Sequence, residues 1–192
     1  MESTDEPYHC HDCGICRIGG ESNFKHCHTC GMCIDKDMFD DHNCQAGKFM
    51  AKCPVCYEDL FSSRSACHEL PCNHSIHWHC FYELSSVDIR CPICKKTMID
   101  GENKAELWRG LKQDIETQPV PPDLTRIVDI VCNDCEVAES NRPWHPLGVD
   151  CSHCGSFNTS VDVKMVGIQA YNILKQLEKQ KKTKKSLISA NE

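Results

Sequence analysis

The chain has 192 residues, 18 of them Cys and 11 His, and a net charge of −7 from 21 Lys+Arg and 28 Asp+Glu. So many cysteines, mostly in C-x2-C and H-C steps with no signal peptide ahead of them, speak for metal binding in a reducing compartment, cytosol or nucleus, rather than for a disulfide framework. No apolar run approaches the roughly 20 residues of a membrane helix, and the acidic balance disfavours a general nucleic-acid binder, whose affinity rests on cationic contacts to phosphate.

Residues 1 to 8 are acidic and featureless, the composition of a disordered segment. From Cys13 to Cys44 a unit repeats: Cys13-x2-Cys16-x9-His26-Cys27, then Cys30-x2-Cys33-x8-His42-x-Cys44. Each repeat offers four soft ligands, so two closed sites are the simplest assignment, one of Cys13, Cys16, His26 and Cys27 and one of Cys30, Cys33, His42 and Cys44. The same spacing admits interleaved pairings. His9-Cys10 repeats the H-C step with no C-x2-C ahead of it and reads as the closing half of a truncated repeat, which leaves Cys10 as a free thiol.

Gln45 to Lys52 leads with little room for a hinge into Cys53-x2-Cys56, Cys72-x-His74-x2-His77-x2-Cys80 and Cys91-x2-Cys94, eight ligands in 42 residues. Two ligands separated by two residues reach one metal from a single tight knuckle, and each such half-site needs a second. Four thiolate or imidazole ligands close a zinc shell and make it structural, whereas a catalytic zinc keeps a position open for water. Cys67 is left over in the long loop of this run. A nucleophilic cysteine needs an activating base or cation, and His68 beside it is weak evidence for one.

Beyond Cys94, Asn103 is a candidate cap for a helix from about Lys104 to Thr117, with Leu107, Leu111 and Ile115 on one face and Pro119, Pro121 and Pro122 ending it. Ile127, Val128, Ile130 and Val131 suit a short β-strand ahead of Cys132-x2-Cys135 and Cys151-x2-Cys154, two knuckles fifteen residues apart with zinc-ribbon spacing. Those four cysteines close that site, so His145 reads as a hydrogen-bonded histidine rather than a ligand. His11, His28, His79 and His153 fall outside the ligand pattern and are expected at the surface. Residues 165 to 178 carry Val166, Ala170, Ile173, Leu174 and Leu177 at helical spacing, and lysines 179, 181, 182, 184 and 185 follow, a solvated end or a nuclear-import signal.

The ligand order of residues 53 to 94, three Cys, two His, three Cys with one residue between Cys72 and His74, is the RING-H2 pattern, and the chain resembles RING-type ubiquitin ligases. Together with Tyr8-His9-Cys10, Cys13-Gly14-Ile15-Cys16-Arg17-Ile18-Gly19, Phe24-x-His26-Cys27, His42-Asn43-Cys44, Cys53-Pro54-Val55-Cys56-x-Glu58-Asp59-Leu60 and Asp129-Ile130-Val131-Cys132-Asn133-Asp134-Cys135, it resembles the RING-H2 ligases that carry CHY and CTCHY zinc fingers, over about residues 8 to 160. Against that family's pattern, the CHY finger and the first C-x2-C of the CTCHY finger are missing from this sequence, and with them part of what family members use to hold substrates.

The resemblance implies small zinc-stabilised modules in series, irregular with short β and α: a CTCHY-type finger at 9–47, a RING-H2 cross-brace at 53–95, a linker helix at 103–118, a zinc ribbon at 126–162, and a helix and basic tail at 163–192. It implies that Cys53, Cys56, His77 and Cys80 hold one ion and Cys72, His74, Cys91 and Cys94 another, for five Zn2+ in all. It implies a RING-type E3 ubiquitin transferase with no catalytic nucleophile, binding an E2 that carries a ubiquitin thioester and directing it to a protein substrate, in the nucleus, the cytoplasm or both. Val55, Leu84 and Pro92 occupy the family's E2-binding positions, and Lys95 stands where many RINGs have an arginine bridging E2 and ubiquitin; lysine lacks the planar fork of arginine, so weaker thioester activation follows. From spacing alone Val55, Leu84 and Pro92 serve equally well as packing for the knuckles. The alternative function is a zinc-based protein-interaction or chromatin-reader scaffold without ligase activity. PHD fingers share the cross-brace but carry one His and an aromatic residue shortly before the seventh ligand, where this chain has His74, His77 and Ile89-Arg90.

Overall fold

The computed structural model describes residues 6–188, with side chains to residue 180. It is a series of small modules of short strands and helices that falls into two compact units, Met1–Cys94 and Lys95–Glu192.

In the first unit, β1 (Tyr8–Cys10) pairs antiparallel with β2 (Ile15–Arg17), and β3 (Phe24–Cys27) with β4 (Met32–Asp35), a 3-10 turn at Glu21–Asn23 lying between the hairpins. Tyr8 is therefore strand, its ring stacked on Phe24 with centroids 5.7 Å apart, and the expected disordered segment is shorter than residues 1 to 8; residues 1–5 lie outside the described ones. Isolated two-stranded hairpins are marginal in water. The β3–β4 hairpin is backed by a small buried cluster of Cys27, Cys30, Met32 and Phe49, with Ile34, Phe39 and Cys67 packed against it.

Cys67 belongs to β5 (Cys67–Glu69), which pairs with β6 (Ser75–His77) and leads into α1 (Trp78–Ser85). Leu60, Leu70 and Ile76 form the fully buried apolar residues of this module. The Gln45–Lys52 connection is tied down at its middle by Lys48, and Asn43 just ahead of it is tied as well. Lys48 pairs with Glu69 and donates to the Asn43 carbonyl at 2.9 Å, and Asn43 donates to Asn73 Oδ1 at 2.6 Å.

The second unit opens with α2 (Gly101–Thr117), which starts earlier than expected: Asp100 occupies the N-cap in an extended conformation without a side-chain cap bond, and Asn103 lies in the first turn. Leu111 and Ile115 are half-buried and Leu107 is exposed, while the helix meets the ribbon through Trp108, 5.8 Å from the Phe157 ring. The predicted strand is β7 (Arg126–Cys132), the centre of a three-stranded antiparallel sheet between β8 (Ala138–Pro143) and β9 (Thr159–Val166). Val128, Ile130 and Val149 form its core, against Trp144. β9 runs through Met165 and Val166, so the last helix, α3 (Ile168–Ile188), begins after Gly167 and three residues later than its apolar spacing implied. Gly167 makes the corner with φ +73°, a conformation that suits glycine. No helix of the described residues is long and apolar enough to cross a membrane.

Candidate metal centres and the RING face

Six tight turns have the same shape. In each, the residue after the second cysteine of a C-x2-C takes a left-handed backbone: Gly14, Gly31, Tyr57, Lys95, Glu136 and Gly155, with φ between 63° and 73°. Five of them donate their N–H to the carbonyl of the first cysteine, Gly14 to Cys10 at 2.9 Å, Gly31 to Cys27 at 2.8 Å, Tyr57 to Cys53 at 2.9 Å, Glu136 to Cys132 at 2.9 Å and Gly155 to Cys151 at 2.8 Å. Such a turn aims both sulfurs to one side.

The knuckles of the N-terminal array are thus Cys10–Cys13 and Cys27–Cys30, not Cys13–Cys16 and Cys30–Cys33. The donor groups follow suit, Cys10, Cys13, His26 and Cys33 forming one and Cys27, Cys30, His42 and Cys44 the other. The assignment of Cys13, Cys16, His26 and Cys27 to one ion fails because His26 and Cys27 are neighbours on β3, and successive side chains of a strand point to opposite faces. His26 shares a face with its cross-strand partner Cys33, and Cys27 faces the other way. Cys10 is a member of a four-donor group rather than a spare thiol, and Cys16 lies outside the five groups. Cys16 faces His9 across β1 and β2 in the register that Cys33 keeps with His26, at 3.4 Å between His9 Nδ1 and Cys16 Sγ, both residues exposed.

In the central module the structure gathers Cys53, Cys56, His77 and Cys80 in one group and Cys72, His74, Cys91 and Cys94 in another, two interleaved sets, while Cys132, Cys135, Cys151 and Cys154 form the fifth. The donor separations fit zinc. Four-coordinate Zn2+ with Zn–S near 2.3 Å and Zn–N near 2.0–2.1 Å implies ligand–ligand edges of about 3.5–3.8 Å. Observed values are 3.5 Å for Cys13–Cys33, 3.5 Å for Cys27–Cys44, 3.2 Å for Cys56–His77, 3.5 Å for Cys72–His74, 3.7 Å for Cys91–His74, and 3.6 Å for both Cys132–Cys154 and Cys135–Cys151. All are far from the roughly 2.05 Å of a disulfide. His42 carries a second mark of a ligand: Nδ1–H donates to the Phe39 carbonyl, and Nε2 is buried without a hydrogen-bond partner. A histidine oriented through one ring nitrogen presents the other to a metal. Among the described residues these five groups are therefore compatible with zinc, closed and structural in character.

The other singled-out residues divide cleanly. Cys67 donates to the Leu60 carbonyl at 3.2 Å, and burial pushes its thiol up to about 11, which makes it a poor nucleophile. His145 is buried and satisfied on both nitrogens, by the Gln118 carbonyl at 2.8 Å and the Leu147 N–H at 3.1 Å. His11, His28, His79 and His153 are exposed. Of the positions assigned to E2 contact, Val55, Leu84 and Pro92 are half-buried and the Lys95 side chain is exposed. Next to them in sequence, Tyr57 and Ile93 are more than half exposed, an apolar surface on the two knuckles that spacing alone did not mark.

One group went unnoticed in the sequence. The Asp134 carboxylate, inside the third module's first knuckle, accepts from Thr97 N–H at 2.7 Å, Thr97 Oγ1 at 2.8 Å and Ser156 Oγ at 2.7 Å, with the Lys104 ammonium 3.2 Å away. Burial acts to raise its pKa, but these donors outweigh burial and hold it at about 2.

Residues 51–95 match the family model described as ring finger domain, and residues 102–160 the one described as zinc-ribbon. The chain is 43% identical over 158 residues to a RING finger protein of Schizosaccharomyces pombe, covering 80% of this chain and 36% of that protein. It is 40% identical over 156 residues to the E3 ubiquitin-protein ligase SRFP1 of Oryza sativa subsp. japonica, covering 80% and 58%, and 36% identical over 156 residues to the zinc finger protein BRUTUS of Arabidopsis thaliana, covering 80% and 12%. The chain thus spans at most 58% of the length of these relatives.

Proposed function

We propose that the chain is a RING-type E3 ubiquitin ligase acting without a covalent intermediate. The observation that carries this reading is the interleaving of Cys53, Cys56, His77 and Cys80 with Cys72, His74, Cys91 and Cys94 in a segment that matches the ring finger model. The name of one relative, the Oryza sativa protein, as an E3 ubiquitin-protein ligase supports it. Closed zinc shells leave no position for a metal-bound water, and the one thiol of the RING outside a donor group, Cys67, is hydrogen-bonded with a raised pKa. The chemistry left to such a module is proximity and orientation: it holds the E2-bound thioester close to an acceptor amine and restrains the ubiquitin tail.

In this reading Val55, Leu84 and Pro92 supply apolar contact to the E2, and the exposed Lys95 ammonium reaches toward the E2–ubiquitin junction. Zinc supplies fold, not catalysis. The N-terminal array, read as CTCHY-type, and the ribbon belong to substrate recruitment. The reading is tested by autoubiquitination of the purified zinc-loaded chain with E1, ATP, ubiquitin and a panel of E2 enzymes. Ubiquitin ladders that require both the E2 and an intact RING are the expected result.

A further inference from the structure

The N-terminal array carries the pattern His-Cys-x2-Cys-x2-Cys twice, as His9-Cys10-x2-Cys13-x2-Cys16 and as His26-Cys27-x2-Cys30-x2-Cys33. In both, the outer His and Cys are cross-strand partners in a hairpin, His9 with Cys16 and His26 with Cys33, and the two inner cysteines make the knuckle. The first knuckle, Cys10 and Cys13, closes on His26 and Cys33, and the second, Cys27 and Cys30, closes on His42 and Cys44. His9 and Cys16 are thereby left as an outer pair without a knuckle.

Their geometry is that of the pairs already in donor groups. His9 Nδ1 lies 3.4 Å from Cys16 Sγ, against 3.2 Å for Cys13–His26 and 3.5 Å for Cys72–His74, and all three histidines present the same ring nitrogen to sulfur. Tyr8, Cys10, Ile15 and Arg17 are half-buried on the opposite face of the ribbon, so His9 and Cys16 turn outward, both exposed. His11 lies 5.0 Å from His9 between ring centroids, as His28 lies 4.9 Å from His26. His28 belongs to none of the five groups, and by the same relation His11 is ring packing rather than a third ligand.

One His and one Cys fill a single edge of a coordination tetrahedron and leave the opposite edge open. The chain has no thiol pair left to fill it: of its 18 cysteines only Cys16 and Cys67 lie outside the five groups, and Cys67 is hydrogen-bonded to the Leu60 carbonyl. A second copy supplies the missing edge by symmetry. With a twofold axis through the ion, the two outward pairs sit on opposite edges of one Cys2His2 shell, an isologous contact in which the same residues meet from both sides.

We propose that His9 and Cys16 are one half of a zinc site shared between two copies of this chain, so that zinc beyond five per chain joins two molecules through their β1–β2 hairpins. With five zincs per chain and none in excess, the pair is open and Cys16 accessible. The site uses no RING residue and does not rest on the ligase reading.

The test is sedimentation velocity of the full chain carrying five zincs, over a range of chain concentrations, with and without added zinc ions. Added zinc is expected to convert monomer to dimer, native mass spectrometry should find that the dimer holds one zinc beyond five in each chain, and a weak chelator that spares the closed sites should reverse both. Alkylation of Cys16 should slow by about tenfold or more in the dimer, because the reactive thiolate is then held by metal. Cys16→Ser and His9→Asn, each outside the five donor groups, should keep five zincs and stay monomeric. Should His9→Asn disturb the neighbouring Cys10 and lose zinc, Cys16→Ser alone decides. A parent that stays monomeric in excess zinc overturns the proposal, as does a dimer that forms equally well in Cys16→Ser. A further zinc bound by the monomer overturns it too, since His11 or water would then complete the shell in place of a second copy.

Discussion

The Sγ of Cys56 lies 3.2 Å from Nδ1 of His77, although 21 residues separate them. Few apolar side chains close that loop, so the metal must. A structural zinc site contributes roughly 10–16 kcal/mol at neutral pH, as much as the whole stability of an ordinary domain, about 5–15 kcal/mol. Native mass spectrometry should therefore find five zincs per chain, and a strong chelator should unfold both units. A stoichiometry of three or fewer would contradict the donor groups of the array or the ribbon.

The array makes a sharper prediction. With Cys10 in a four-donor group and Cys16 outside the five, brief alkylation of the zinc-loaded protein followed by peptide mapping should label Cys16 quickly and leave Cys10, Cys13, Cys27, Cys30 and Cys33 protected. Fast labelling of Cys10 with protection of Cys16 would restore the sequential pairing.

Asp134→Ala removes the acceptor of Thr97 N–H, Thr97 Oγ1 and Ser156 Oγ, leaving donors in a buried setting. Each unsatisfied buried donor costs about 1–3 kcal/mol, so the variant should lose roughly 2–4 kcal/mol in zinc-buffered denaturant unfolding at neutral pH. The sign with pH follows from the depressed carboxyl at about 2: its contribution is fully present above the ordinary carboxylate value and is lost as pH falls through about 2. Parental stability in Asp134→Ala would mean that water replaces the carboxylate without loss.

Val55→Ala trims a half-buried side chain that is not a zinc donor. If Val55 contacts the E2, the variant keeps its zinc and its unfolding midpoint but loses most E2-dependent transfer, a cost of about 1 kcal/mol or more at the interface. Full activity with every E2 that the parent uses would assign Val55 to packing.

The central module was legible because its ligand spacings are irregular: one residue between Cys72 and His74 fixes the pattern, and each knuckle is already isolated in the sequence. The array defeated spacing because His26-Cys27-x2-Cys30-x2-Cys33 offers two overlapping C-x2-C steps. The deciding signals were present but local. Gly14 and Gly31 follow Cys13 and Cys30 and mark where the left-handed turn falls, and strand alternation forbids adjacent residues from sharing an ion. β7 was readable from its β-branched run, whereas the start of α3 was not, since Met165 and Val166 suit a helix face as well as the end of β9. The Asp134–Asn158 group left no pattern at all, for it joins residues from Lys95 to Asn158 through hydrogen bonds that only the folded chain defines.

The most direct measurement of the ligase reading is single-turnover discharge of a purified E2–ubiquitin thioester onto free lysine, with the zinc-loaded chain added and with the same chain carrying Cys53→Ser and Cys56→Ser. Proximity and orientation effects should make discharge with the intact chain at least about tenfold faster than with E2 alone for one or more E2 enzymes, and the double variant should return it to the uncatalysed rate. Discharge at the uncatalysed rate with every E2 in a broad panel, from a chain shown to hold all five zincs, would contradict the account.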